Sequence, residues 1–493
     1  MIEFSCIKNA FDKAQYIPFK TRDRNIVSSL TEYAFTNINF CFQKSHTEHL
    51  KDILYNSKDK RDSLVASVML ENANVSSHKV LPLCQDTGVA SVYAFVGTKS
   101  PFLKHLCTFT DDINEGVKNA YVKNNLRFSI NRPLSFTKET DTRNNTPADI
   151  NVYLQDADKK NTYILFSAKG GGSANKTYFE VKTKAFLNQT SIQHYITERI
   201  NSIGTSACPP YKTAFVIGGL SPEDNLLWAK IATCTDVQNS INVLRCPEYE
   251  KFVKDTANGR GMGQFCAQTL VSEAVVLRLP RHGASLFTSF ALSCSASRNM
   301  LVKITENDIF TEVLCSEDLM CNDDTLNKTL LSLPHFDVSP VLNEQLKKLP
   351  KNTMFTLSGT LTVARDKVHF ALKNENRVPS YMTDYPIFYA GPTETPLNCV
   401  SGSIGPTTSS RMDEGSIFLM RHGASKVMIG KGERSKEFYD ECNKNGCIYV
   451  KALGGVAAFT SSNCVQSSQV VDYKEFGMES VRIIKVKNML LST

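Results

Sequence analysis

Residues 162–172 read TYILFSAKGGG. Thr162 to Ala168 is a short apolar run carrying Tyr163, Ile164 and Phe166, which predicts a buried strand. It runs straight into Gly170-Gly171-Gly172, a turn whose bare backbone lets a ligand come close and can present N–H groups to an anion. Working outward, residues 26–72 carry helical spacing, as do Ile113, Val117, Ala120 and Tyr121. Ile192, Ile196, Ile200 and Ile203 line one face of a helix that starts near Thr190-Ser191 and stops at Gly204. Thr213 to Ile217 and Ala274 to Leu279 read as further buried strands, each ending at a polar or glycine-rich turn.

The pattern weakens after about Phe310. Cys321-Asn322-Asp323-Asp324 and Leu346-Lys347-Lys348-Leu349-Pro350 read as exposed. A second unit begins with the strand Phe355 to Val363, crosses a Gly/Pro/Thr-rich stretch at 391–408, and alternates helices with strands to about 487. The expected fold is α/β (α+β): a larger N-terminal domain at 1–313, a linker at 314–352 and a smaller C-terminal domain at 353–493, with a site in the cleft between them.

The 493 residues are 42% hydrophobic, ample for two cores. No run approaches the roughly 20 apolar residues of a membrane helix. The N-terminal segment has no apolar core of a secretory signal, and Glu3, Asp12 and Asp23 fit a mitochondrial transit peptide poorly. A cytoplasmic location is expected, with the mitochondrial matrix as the alternative. The 56 basic and 49 acidic residues give a net charge of +7, scattered rather than massed, which suits an anionic metabolite and not a nucleic acid. Fifteen cysteines without a secretory signal imply mostly free thiols. No CxxC pair occurs, so any metal site must be assembled from distant cysteines.

Several short motifs carry chemistry. Gly170 to Thr177 nearly spells a phosphate loop, but Asn175 stands where that loop needs glycine. Arg281-His282-Gly283-Ala284-Ser285 recurs as Arg421-His422-Gly423-Ala424-Ser425, and the unmatched flanks mark the repeat as coincidental. Cys84-Gln85-Asp86-Thr87-Gly88 gathers a thiol, an amide and a carboxylate, but free cysteine is usually a small hydrophobe. Thr407, Thr408 and Arg411, with Arg365 and Lys431 in the same domain, suit a substrate with two carboxylates. None of these singles out three thiols from fifteen.

In order, the strings LPLCQDTG (81–88), NNLRFSINRPL (124–134), KGGGSANKTY (169–178), GTSACPPY (204–211), RLPRHGAS (278–285), SCSASRN (293–299), LSGTLTVARD (357–366), PIFYAGPTETP (386–396), SGSIGPTTSSRMD (401–413), KGERS (431–435) and GMES (477–480) resemble those of the class I, iron–sulfur fumarate hydratases. The resemblance spans most of the chain. It implies a [4Fe–4S] cluster held by Cys84, Cys208 and Cys294, with one iron left free as a Lewis acid for the substrate. It implies acid–base roles for Asp86 and Thr407, and substrate contacts for Gln85, Arg127, Gly172, His282, Arg365, Thr408, Arg411 and Lys431. Arg365, Arg411 and Lys431 lie in the second domain, so domain closure would complete the site. It further implies reversible hydration of fumarate to (S)-malate, a homodimer, and no nucleic-acid or membrane partner.

This sequence departs from the family's strings at Leu220, at Ser297 and at Cys266-Ala267, where two glycines are expected. The rival readings are a related hydro-lyase for tartrate or mesaconate, a histidine phosphatase using His282 or His422, and a non-catalytic binding protein on the same fold.

Overall fold

The computed structural model describes residues 2–315 and 324–493. The strand Thr162–Lys169 sits inside a six-stranded sheet, between Asn299–Ile304 and Val89–Gly97, with Asp149–Gln155 and Tyr16–Phe19 at the edges. Only Val89–Gly97 and Asp149–Gln155 run parallel. Both faces of the sheet are covered, which is why the central strands are apolar throughout rather than alternating. The helices Ile26–Phe40 and Phe109–Lys123 cover one face, through Leu30, Phe35, Ile113 and Val117. Asn25 starts the first of these helices by accepting the Ser28 N–H.

A five-stranded sheet, ordered Tyr178–Lys182, Leu286–Ser293, Tyr211–Gly219, Val271–Arg281 and Leu244–Arg245, lies beyond the other face. Tyr93, Phe95 and Leu165 of the first sheet share a core with Val216, Leu277 and Ala291 of the second. The helices Phe4–Lys13 and Pro222–Ala232 contribute to that middle layer through Phe11 and Trp228. The outer face of the second sheet packs on the isoleucine stripe of Gln189–Ile203, as the spacing predicts. Gly204, at φ 58°, ends that helix in a conformation glycine enters freely.

The second domain is a seven-stranded sheet. Met354–Val363, Ile387–Phe388, Val427–Gly430 and Ile448–Ala452 run parallel in that order. The last strand, Val481–Ser492, pairs with both Met354–Val363 and Ile448–Ala452 and so closes the five strands into a ring. Its core is continuous with the first domain. Leu64, Val68 and Met69 on the helix Lys60–Ser77 pack with Phe355, Leu361, Ile429 and Val450.

Part of the stretch 314–352 is ordered against this core. His335–Asp337 pairs with Met354–Val363. Leu346, expected to be exposed, is fully buried, because Leu342 and Leu346 stand one turn apart on the inward face of Leu342–Lys347. Cys321, Asn322 and Asp323 lie outside the described residues.

Candidate active site

Three loops bring Cys84, Cys208 and Cys294 to one cavity of about 520 Å³ at the domain junction. Cys84 lies between the helix Lys60–Ser77 and the strand Val89–Gly97, and Asn39 anchors its loop by accepting the Leu83 N–H at 2.9 Å. Cys208 follows the helix that Gly204 ends. Its φ of 64° is costly for a residue with a side chain, a kind of strain that concentrates at functional sites. Cys294 leaves the end of Leu286–Ser293, and the neighbouring Ser295 N–H donates to the Cys208 carbonyl at 3.0 Å, tying the two loops. Gly454 comes so close to Cys208 Sγ that a Cβ there would stand 2.3 Å from it.

Burial pushes the Cys84 thiol up to about 12, with Asp86 and the two other thiols adding to the rise and Arg298 opposing it. The Cys208 thiol is raised for the same reason, with Lys431 opposing. The Lys431 ammonium donates to Cys208 Sγ at 2.9 Å. Among the described residues no three His, Cys, Asp or Glu side chains converge on a single-ion site.

Asp86 stands beside the thiols. Its carboxylate accepts the Gly171 N–H at 2.9 Å and the Gly88 N–H at 3.2 Å. Burial alone would raise this carboxyl, but Arg127, Arg298 and the Gly171 N–H outweigh it and hold the group below the usual range. A Cβ at Gly170 would meet the carboxylate at 2.9 Å. The near-phosphate loop is therefore spent on Asp86, one of its N–H donors being already taken.

Thr407 faces the cavity from the second domain, and the Arg411 guanidinium donates to its hydroxyl. Thr408 lies beside it, bridged to Lys431 and donating to the Ser206 carbonyl at 3.3 Å. The Gln85 amide donates across the junction to the Pro406 carbonyl at 3.0 Å. Gly172 and Arg365 complete the predicted wall. Among the described residues six cationic side chains, Arg127, Lys176, Arg298, Arg365, Arg411 and Lys431, and a single carboxylate, Asp86, line this space. Such a surplus attracts a small polyanion.

Two family patterns match the chain. The one described as Fumarate hydratase (Fumerase) covers residues 28–303, and Fumarase C-terminus covers 316–492. The chain belongs to the class I fumarate hydratase family. The aerobic class I fumarate hydratase of Escherichia coli strain K12 is 38% identical over 479 residues, spanning 93% of this chain and 86% of that relative. Fumarate hydratase 2 of Leishmania major is 37% identical over 480 residues, 93% of this chain and 83% of the relative. A putative L(+)-tartrate dehydratase subunit beta from Methanocaldococcus jannaschii matches 30% over 162 residues, only 31% of this chain. As a class I fumarate hydratase the protein is a hydro-lyase, which removes the phosphatase and the non-catalytic readings.

One expected residue, His282, is not among those that line this cavity within the single chain. His282 lies in the exposed turn between Val271–Arg281 and Leu286–Ser293, where its Nδ1 accepts the Ala284 N–H, and it does not reach the cavity. Two strands that pair with the same neighbour need a turn at their ends, and this turn projects the imidazole outward. Its twin His422 follows the helix Asp413–Arg421, so the repeated string adopts two unrelated structures. Residues of both domains ring one cavity.

Three cavity-facing or supporting groups were missed. Arg298 and Glu479 sit inside the strings SCSASRN and GMES, but one charged residue in a loop reads like solvated surface. Gln264 is buried, donating to Pro209 O at 2.6 Å and accepting the Gly454 N–H at 2.7 Å, so it ties the Cys208 loop to the Gly454 loop. Beside it Cys266, in place of the family's glycine, holds φ 61°. The left-handed backbone persists at a cost of about 1 kcal/mol. Leu220 and Ser297 lie off the cavity wall.

Proposed function

We propose that this chain hydrates fumarate to (S)-malate and reverses that reaction, using a [4Fe–4S] cluster held by Cys84, Cys208 and Cys294. The observation that carries the reading is the meeting of three thiols, Cys84 and Cys208 buried and Cys294 half-buried, with six cations in one cavity. The donor set is all sulfur, the soft chemistry that iron–sulfur clusters take. The Lys431 ammonium at Cys208 and the Arg298 guanidinium near Cys84 oppose the rise that burial imposes on these thiols. When bound, the cluster supplies Lewis acidity toward the substrate's oxygens.

The remaining steps belong to the side chains. Arg365, Arg411 and Lys431 from one domain and Arg127 from the other neutralise two substrate carboxylates and hold them in the plane of the guanidinium forks. Gln85 stands beside Cys84 within reach of the same substrate. Asp86, resting as a carboxylate, takes the proton of water as its oxygen joins one carbon. The Thr407 hydroxyl, polarised by the Arg411 guanidinium, gives a proton to the neighbouring carbon, and solvent returns a proton from Asp86 to Thr407 between turnovers. In dehydration each group runs in reverse.

Two expected outcomes test this. Protein prepared without oxygen should turn over fumarate far faster than tartrate or mesaconate; the opposite order would replace fumarate as the substrate. Arg411→Lys keeps the charge but loses the fork, and losing one charged hydrogen bond at about 2–4 kcal/mol predicts a fall in kcat/KM for fumarate of roughly 30- to 1000-fold. An unaltered kcat/KM would reject the clamp.

We infer a homodimer and a cytoplasmic location from the same family reading. Among the described residues no helix is long and apolar enough to cross a membrane. One relative, from Leishmania major, is named a mitochondrial fumarate hydratase, so fractionation of the source cells decides between cytoplasm and matrix.

A further inference from the structure

The cations on the cavity wall are not independent. Glu479 Oε1 stands 3.7 Å from Arg127 Nη2 and 3.4 Å from Arg365 Nη2. Arg365 Nε stands 3.6 Å from Asp366 Oδ1, and Asp366 Oδ2 lies 3.8 Å from Arg411 Nη1. The five groups form a line of alternating sign. One end, Arg127, acts on Asp86, and the other, Arg411, on the Thr407 hydroxyl. Every link is longer than the roughly 2.7–2.9 Å of a tight charged hydrogen bond. Arg127 Nε and Arg365 Nε are buried without a hydrogen-bond partner, and so is Glu479 Oε2. Buried polar atoms left unpaired cost free energy, so the spacing of this line is not set by tight hydrogen bonds of its own.

Glu479 has a particular place in this line. Val363 pairs with Arg482 in the sheet, so the chains leaving that pair, toward Arg365 on one side and Glu479 on the other, run side by side. Arg127, by contrast, comes from the first domain, where its carbonyl accepts the Thr87 hydroxyl at 2.8 Å. One carboxylate oxygen thus lies between two guanidinium groups from two domains, with its side chain only 14% exposed. Glu479 does not itself line the cavity. Without it, two buried cations would face each other across the junction at a repulsive cost.

We propose that Glu479 is a positioning residue: it spaces Arg127 against Arg365 so that their guanidinium groups on the cavity wall receive one carboxylate of a four-carbon dianion, and so sets the affinity for dicarboxylates. This rests on the fumarate hydratase reading. A group that fixes the clamp equally in the ground and transition states acts on KM and leaves kcat alone.

The test uses the cluster-loaded enzyme, prepared without oxygen, as wild type, Glu479→Gln and Glu479→Asp. Fumarate kinetics, competitive inhibition by succinate, and iron content are measured on each. Glu479→Gln should raise both the KM for fumarate and the Ki of succinate by about tenfold or more, with kcat within about threefold and iron unchanged. Glu479→Asp keeps the charge with a shorter reach and should fall between the two. A merely structural role would lower iron content and kcat together. Unchanged KM and Ki in both variants, or a fall in kcat at constant KM, overturns the proposal. If Glu479→Gln does not fold, Glu479→Asp alone decides by the same criterion. If wild type does not hydrate fumarate, the functional reading fails separately, and calorimetric binding of succinate to the same three proteins still tests the spacing role.

Discussion

Cys84→Ser, Cys208→Ser and Cys294→Ser should each purify without the cluster, losing iron, labile sulfide and the broad visible absorption together, and with them all measurable turnover. A serine oxygen is hard and, at neutral pH, protonated, so it does not replace a thiolate toward iron. Two remaining thiolates cannot hold the group where the described residues of the cavity wall supply no other soft donor. The effect should also reach stability. A group that binds only the folded chain adds to its stability by mass action, so each variant should melt below the loaded wild type and close to wild type stripped by a chelator. Cys266→Ser is the control, because Cys266 lies two residues from Gln264, which binds the Pro209 carbonyl, but does not line the cavity. It should keep its iron. Iron at wild-type stoichiometry in Cys208→Ser, or its loss in Cys266→Ser, would assign the ligands wrongly.

The elements of the fold were legible because their signals are local. Ile192, Ile196, Ile200 and Ile203 fall on one helical face, and Thr162 to Ala168 is too short and too apolar to be anything but covered on both sides. What each face packs against is not local. Leu64, Val68 and Met69 form an ordinary apolar stripe, and nothing in that stripe says that it serves the second domain's core rather than the first. That shared core also brings residues of both domains to the wall of one cavity. Leu346 was misread for a related reason: in Leu346-Lys347-Lys348 the charges outnumber the one residue that turns inward.

The site divides along the same line. The thiols come from three separate loops, so only the ordered strings of a family could select them among fifteen cysteines. Arg365, Arg411 and Lys431 were legible as a chemical type suited to carboxylates. Glu479 was not, because a carboxylate acts here through its neighbours, and its neighbours come from both domains. His282 differs again: its string matches, and within the single chain it stands in an exposed turn outside the cavity lining.

Asp86→Asn and Thr407→Ala should each retain the cluster and fumarate affinity while losing roughly 100-fold or more in kcat, the scale for removing a positioned acid or base. Hydration places hydroxide on one carbon and a proton on the next, so two groups must reach two adjacent atoms. Asp86 follows Cys84 by two residues, and its backbone N–H lies 3.4 Å from Cys84 Sγ, which holds it on the thiol side of the cavity. Thr407 stands on the wall contributed by the second domain, where its backbone N–H donates to the Tyr389 carbonyl at 2.8 Å. A free threonine hydroxyl is far too weak an acid to trade protons at neutral pH, and the Arg411 guanidinium on its oxygen favours the alkoxide form. The two losses therefore have different partners. Thr407→Ala combined with Arg411→Lys should cost less than the product of the single effects, because both act through one hydroxyl. Asp86→Asn combined with Arg411→Lys should come nearer to that product. Read as simple turn residues, Asp86 and Thr407 would instead cost about 1 kcal/mol of stability and leave turnover near normal. Iron content, fumarate affinity and kcat measured on both single variants separate these outcomes. Near-normal kcat in Thr407→Ala carrying its full iron would take threonine out of the mechanism.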